Sequence, residues 1–346
     1  MSNRDPLFDA LKGLGILLVL LGHCIQWDTW LWRVIYSFHM PLFFIVSGCF
    51  FGRTLQRDGR TFARSLLRNL LVPYLLFMIL AVLSHVILDA QYFAKHSWTS
   101  IAVSCVNGVP FLNGPLWFLH SLMVAQCFLW CTLRLMRREW RMLILPTLLV
   151  IVAASWYLPS VIKSILPMNM FRCLWAAFFV GCGFFGRQII EQFAEWSNQF
   201  VVRGLLVSGV CMFVLGMSAV WFSLDMTSAL LTERILLVVT ATAGVVVLVP
   251  VAHVILRLGD SWLVQAILFL GTNSLYYFGL EKVLQPFVSR SFVGDWGRGA
   301  AFSSLLIVLS LFVPVAKIAN EWLKTRLIPF SATERRQRSG FDIIRR

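Results

Sequence analysis

About ten runs of roughly 16 to 22 apolar residues, parted by short polar breaks, fill this chain from Leu7 to Ala319, and nothing else in it restricts the fold so strongly. They are Leu7 to Trp27, Val34 to Phe51, Leu70 to Leu88, Pro115 to Leu133, Met142 to Leu158, Met170 to Phe185, Gly204 to Leu224, Ile235 to Leu256, Leu263 to Val283 and Gly299 to Ala319. Inside a bilayer only structures that satisfy their own backbone hydrogen bonds survive, and runs of this length do so as helices. Charged residues make up only 13% of the 346, and the mean hydropathy is +0.78. A soluble protein of this size needs more polar surface than that. The expected fold is an all-α membrane protein, a bundle of about ten transmembrane helices.

The basic residues fix the orientation. Counted on alternate sides of the runs, 22 of the 30 Lys and Arg fall on one side; the remaining 8 are Arg33, Lys95, Lys163, Arg172, Arg234, Lys282, Arg290 and Arg298. The positive-inside rule puts the richer side, and with it both termini, in the cytoplasm. The net charge of +14 therefore reflects topology. It lies in short clusters between apolar runs, with no soluble domain to hold a nucleic-acid groove. One such cluster has arginines at 53, 57, 60, 64 and 68, a spacing that gives one basic face if the segment is helical. That face suits anionic lipid headgroups or a phosphate-bearing cytoplasmic cofactor, and both readings stand.

Residues 1–328 read as one integral-membrane domain and 329–346 as a basic cytoplasmic tail. The stretch from Asp89 to Asn113 is the longest loop on the far side, with a re-entrant or interfacial piece at Ile101 to Val106. All eight cysteines avoid CxxC spacing and read as small hydrophobes, so no metal is expected. The sequence Leu-Gly-His-Cys at 21 to 24 has histidine where a signal peptidase needs a small residue, so the first run reads as a retained helix.

Ionisable groups deep in apolar runs are costly and mark function. Lys12 and His23 are eleven residues apart, so on a helix they lie within about 20° of one face and roughly 16 Å along the axis. Asp9 falls on the same side. Three polar groups up one face make sense where that face lines a cavity. His39 near the start of the second run, Trp117 and His120 in the fourth, Arg172 in the sixth and Glu281 at the end of the ninth should share the level of His23, towards the outer side. Taken singly, several have ordinary explanations: His85, His120 and His253 as hydrogen-bonded or interfacial histidines, Arg172, Arg234 and Lys282 as snorkelling cations. Trp27, Trp30, Trp32, Trp98 and Trp296 read as belt aromatics. Met40-Pro41 should loosen the turn holding His39, and Ser47-Gly48 should permit close helix approach.

The blocks FDALKGLGILLVLLGH and FHMPLFFIVSGCFF closely resemble the opening of the acyltransferase 3 family of bacterial membrane O-acyltransferases, especially its branch similar to fucose 4-O-acetylases. LVPYLLF at 71 to 77, GPLWFLHSL at 114 to 122, RCLWAAFFVGCGF at 172 to 184 and LGTNSLYYFGL at 270 to 280 follow in family order. The resemblance implies a ten-helix enzyme of the bacterial cytoplasmic (inner) membrane. It would move an acyl group, usually acetyl, from cytoplasmic acyl-CoA (acetyl-CoA) to a hydroxyl of an envelope carbohydrate or its lipid-linked precursor. The family's basic residue eleven positions before an essential histidine falls on Lys12 and His23. Arginine is usual at the first position; lysine keeps the charge without the bidentate fork. Glu281 stands where the family often has histidine.

In this reading Lys12, with Arg53, Arg64 and Arg68, holds the coenzyme phosphates. The pantetheine arm spans the distance to His23, which acts as general base on the acceptor hydroxyl or as an acyl-histidine relay. His39 and Glu281 join His23 as candidate catalytic residues, and Trp117 and Arg172 are candidates for substrate binding. Which of His39, Arg172 and Glu281 orients the base, holds the sugar or stabilises the oxyanion is not readable from sequence. The alternative is a transporter or flippase for a sugar or lipid-linked glycan, in which the same stripe is a permeation path or proton relay.

Overall fold

A computed structural model describes residues 5–26, 28–88, 97–108, 110, 112–154, 170–222, 231–292 and 298–328. Among them there is no strand. The helices, in chain order, are α1 (Pro6–Cys24), α2 (Trp30–Tyr36), α3 (His39–Cys49), α4 (Phe51–Leu55), α5 (Gly59–Leu66), α6 (Val72–Leu88), α7 (Trp98–Val106), α8 (Trp117–Leu135), α9 (Ile144–Ala154), α10 (Met170–Gln199), α11 (Val201–Trp221), α12 (Leu231–Leu256), α13 (Trp262–Thr272), α14 (Ser274–Phe292) and α15 (Arg298–Leu327). Among the described residues eight segments are long and apolar enough to span a membrane, and the bent pair α13–α14 makes a ninth. The fifth expected span, Met142 to Leu158, is helical over Ile144–Ala154, and its remainder lies outside the described residues. Trp27, Trp296 and the tail 329–346 lie outside them too.

Helix α1 occupies the middle, packed on α2, α3, α12, α13, α14 and α15. Asp5 caps its first turn, its carboxylate accepting from the Leu7 N–H at 3.0 Å, and Pro6 follows at a position whose amide needs no partner. Between membrane helices there is no hydrophobic driving force, so close contact depends on small residues. On α3 and α10 those residues are Gly48 and Gly183: a Cβ at either would stand 2.0 Å from the Val180 carbonyl oxygen or 1.9 Å from that of Ile45. Gly13 and Gly271 join α1 to α13 in the same way, with a Cβ at Gly271 only 1.8 Å from the Asp9 carbonyl oxygen.

Two expected single spans are broken. The second run divides at Ser37 and Phe38, where Pro41 supplies no N–H to the Ser37 carbonyl; the Thr240 hydroxyl from α12 donates to that carbonyl instead, at 3.3 Å. The ninth run bends by 78° at Asn273. There the Asn273 side-chain amide donates to the Phe269 carbonyl at 2.8 Å, its oxygen accepts from Lys317 at 3.3 Å, and its backbone carbonyl accepts from the Tyr276 N–H at 2.9 Å. One residue thus closes α13, opens α14 and ties both to α15.

The single basic face expected over Arg53 to Arg68 does not form. The chain turns between α4 and α5, where Asp58 caps the new helix by accepting from the Thr61 N–H at 3.1 Å. Arg53 is exposed, Arg64 half-buried and Arg68 buried. A local cap outweighs a charge periodicity worth only tenths of a kcal/mol per pair. Trp32 is no belt residue: it is buried and stacked on Tyr36 with ring centroids 3.8 Å apart. Trp30 and Trp98 are exposed. The loop helix α7, nine residues and too short to cross, lies against the bundle through Tyr74, whose hydroxyl donates to the Cys105 carbonyl at 2.8 Å.

Candidate active site

At the last turn of α1, the His23 Nδ1 lies 2.6 Å from Glu281 Oε2 on α14. The Glu281 side chain is 0% exposed and that of His23 16%. An ionised carboxylate can only accept, so Nδ1 donates in this contact, and in a neutral ring Nε2 is then the lone-pair nitrogen. The other carboxylate oxygen, Oε1, is 3.5 Å from Lys282 Nζ, an ion pair without hydrogen-bond geometry. A carboxylate at 0% exposure is tolerable only beside such partners.

The height of Glu281 is set by its neighbours on α14. Two residues earlier, Gly279 is pressed by the Phe77 ring, 2.2 Å from where a Cβ would be. Its carbonyl accepts from the side-chain amide of Asn113 at 2.9 Å. Ser84 on α6 donates to the Val283 carbonyl at 2.9 Å. Asn113 and Phe77 carry no charge and sit far from α14 in sequence, so nothing in their local pattern singles them out.

His39 is buried at the start of α3, with Nδ1 2.8 Å from the Ile35 carbonyl. Tyr36 stands between the two histidines, its centroid 4.8 Å from that of His39 and 6.3 Å from that of His23. Trp117 and Arg172 also meet: the guanidinium carbon lies 5.4 Å from the indole centroid, a cation–π contact between α8 and α10. Lys282 pairs with Glu281.

Lys12 is placed differently. It is ion-paired with Asp9 at 2.5 Å and lines a cavity of about 340 Å³. The polar groups there are Lys12, Ser47, Thr54, Gln126 and Ser274, the last at the first turn of α14; Phe43, Phe50, Phe118, Phe278, Val46 and leucines supply the rest. The Gln126 amide donates to Ser47 Oγ at 3.3 Å. His23 is not among the lining residues, and Ile16 and Val19, which share the face between Lys12 and His23, are 0% and 1% exposed. The stripe read from sequence is thus two separate polar groups, a cation in a cavity and an imidazole–carboxylate pair above it. Arg68 reaches the Ile328 carbonyl at 3.3 Å. Arg53 and Arg64 are not in the lining of this cavity.

Neither Tyr36 nor the groups Ser47, Gln126 and Ser274 around Lys12 were singled out by sequence as site residues; only the GTNSL block and Ser47-Gly48 hinted at two of them. Among the described residues no three His, Cys, Asp or Glu side chains converge as a metal site would require.

A family model described as an acyltransferase domain matches residues 6–319. The nodulation protein NolL of Sinorhizobium fredii (strain NBRC 101917 / NGR234) is 31% identical over 137 residues, 36% of this chain and 35% of its own length. The nodulation protein NolL of Mesorhizobium japonicum is 37% identical over 70 residues, 17% of this chain and 19% of its own length. The chain therefore spans about a third of the first relative (35%) and a fifth of the second (19%). No solved structure matches it.

Proposed function

The chain belongs to the acyltransferase 3 family, and from that premise we propose that it transfers an acyl group, acetyl in the first instance, from acyl-CoA to a carbohydrate hydroxyl. The acceptor is an envelope glycan or its lipid-linked precursor, and the enzyme is a multi-pass protein of a bacterial cytoplasmic membrane with the Lys12 end of the bundle in the cytoplasm. The observation that carries this reading is the 2.6 Å contact between His23 and Glu281. A buried carboxylate that holds Nδ1–H fixes the tautomer in which Nε2 accepts a proton, as a general base requires.

Nε2 of His23 takes the proton from the acceptor hydroxyl as its oxygen attacks the thioester carbonyl. The C–S bond then breaks, and the imidazolium returns the proton to the departing thiolate; ester and free CoA thiol are the products. Glu281 holds the ring and balances its transient charge. Lys12 and the polar groups of its cavity receive the donor, an extended arm with amides along it, which suits an apolar cavity holding a few placed donors and acceptors. Trp117 and Arg172 offer an aromatic face and a cation on the acceptor side.

The test uses inverted membrane vesicles and acetyl-CoA labelled in the acetyl group. Ester-linked label should appear in the glycan fraction with the wild-type protein and vanish with His23→Ala at equal protein level. Label incorporation unaffected by His23→Ala would sink this reading, and sugar movement without incorporation would favour a transporter. For the donor end, Lys12→Gln should raise KM for acyl-CoA by roughly tenfold or more, the worth of one charge-assisted hydrogen bond. The acceptor KM should hold in a steady-state titration of each substrate; a rise in both would point to general loosening of the fold, since Asp9 loses its partner.

A further inference from the structure

Four phenylalanines line the Lys12 cavity, and three of them, Phe43 on α3, Phe118 on α8 and Phe278 on α14, come from three different helices. Phe118 touches the other two, with ring centroids 5.9 Å from Phe43 and 5.3 Å from Phe278. Each ring sits one step along its helix from a candidate site residue. Phe43 is one helical turn beyond His39, Phe118 is next to Trp117, and Phe278 is one turn before Glu281. On the opposite wall the Phe43 ring lies against α1 at Gly15, with Cζ 3.0 Å from where a Cβ would be. Gly15 is one turn above Lys12 on the way to His23.

We propose that Phe43, Phe118 and Phe278 are the specificity-determining residues that limit the size of the acyl group this enzyme transfers. The inference rests on the acyl-transfer reading above. A thioester entering past Lys12 brings its carbonyl carbon towards Nε2 of His23 with the alkyl tail beside these rings. An acetyl group has one methyl to accommodate there. Each further methylene must displace a ring that is itself backed by others: Phe118 also packs on Phe44, with centroids 4.7 Å apart, and Phe43 has no room to move towards α1 at Gly15. A pocket of this kind discriminates between homologues by about 10- to 200-fold per methylene, so three rings in contact select sharply for the shortest chain.

The purified enzyme in detergent, given acetyl-, propionyl- and butyryl-CoA as separate donors, provides the test. Phe118→Ala should raise the ratio of kcat/KM for butyryl over acetyl by at least about tenfold. Phe118→Trp, which adds bulk at the same place, should lower the propionyl-to-acetyl ratio. Phe278→Leu, a milder truncation that keeps the helix packed, should move the butyryl ratio in the same direction as Phe118→Ala and serves where that variant does not accumulate. Ratios unchanged in the truncated variants, with acetyl transfer still abolished by His23→Ala, would overturn the inference and leave the acyl-transfer reading standing. Acetyl transfer indifferent to His23→Ala would remove both.

Discussion

Replacing Glu281 by Gln should lower kcat for acyl transfer by roughly 10³- to 10⁴-fold with little change in KM for the donor. The substitution keeps size and shape at a fully buried position, so the fold has no cavity to absorb. What changes is the contact with His23. A carboxylate can only accept from Nδ1, whereas a carboxamide can turn its NH₂ towards the ring and donate. The hydrogen then moves to Nε2, and the nitrogen that should receive the acceptor's proton is occupied. The transient imidazolium also loses its counter-charge.

Two readouts separate this from mere destabilisation. The thermal midpoint of the detergent-solubilised variant should stay near wild type. The double variant His23→Ala/Glu281→Gln should be about as inactive as His23→Ala alone, because groups that act as a unit are not additive. Multiplicative losses in the double variant would mean that Glu281 works independently of His23, against the proposed pairing.

The second large effect concerns folding. Gly183→Ala should destabilise the protein by about 3 kcal/mol or more, at the upper end of what overpacking costs. The added Cβ would stand 1.9 Å from the Ile45 carbonyl oxygen and 2.8 Å from its carbon, both backbone atoms, so no side chain can rotate away. Helices α3 and α10 would have to separate. They carry His39, Phe43 and Ser47 on one side and Arg172 on the other, so activity should fall along with stability. Gly186, three residues further along α10, is the internal comparison: nothing lies within 4 Å of a Cβ there. Gly186→Ala should be neutral or slightly stabilising, since alanine is the better helix former by up to about 1 kcal/mol. Thermal melts monitored by fluorescence-detected size exclusion would compare the two. Equal losses at both positions would show that glycine serves chain flexibility in α10, not close contact with α3.

Much of this was legible in the sequence because a bilayer imposes local rules. Every span must be apolar by itself, so the runs at Gly204 to Leu224 and Ile235 to Leu256 announce helices α11 and α12 without reference to any neighbour. The placement of Lys12 and His23 on one face follows from helical period alone. Ser47-Gly48 foretold a close approach, and the approach is there. The broken spans were only half visible. Pro41 is a readable interruption, but at the Asn273 bend the side chain that closes α13 also accepts from Lys317, 44 residues away. The arginines at 53 to 68 misled because their spacing fits one helix, while Asp58 starts a new one.

What the sequence determined by itself, then, is the class of fold and the position of most spans, along with a short list of polar residues proposed as a site. What only the tertiary structure decided is which of them meet. His23 and Glu281 are 258 residues apart and share a hydrogen bond, whereas Lys12, on the same helix as His23, pairs with Asp9 and lines a cavity whose lining does not include His23. Insertion into a membrane is a sum over consecutive residues and is written along the chain. The order in which finished helices pack is set by glycine contacts and single polar pairs between distant segments, and no local pattern carries that information.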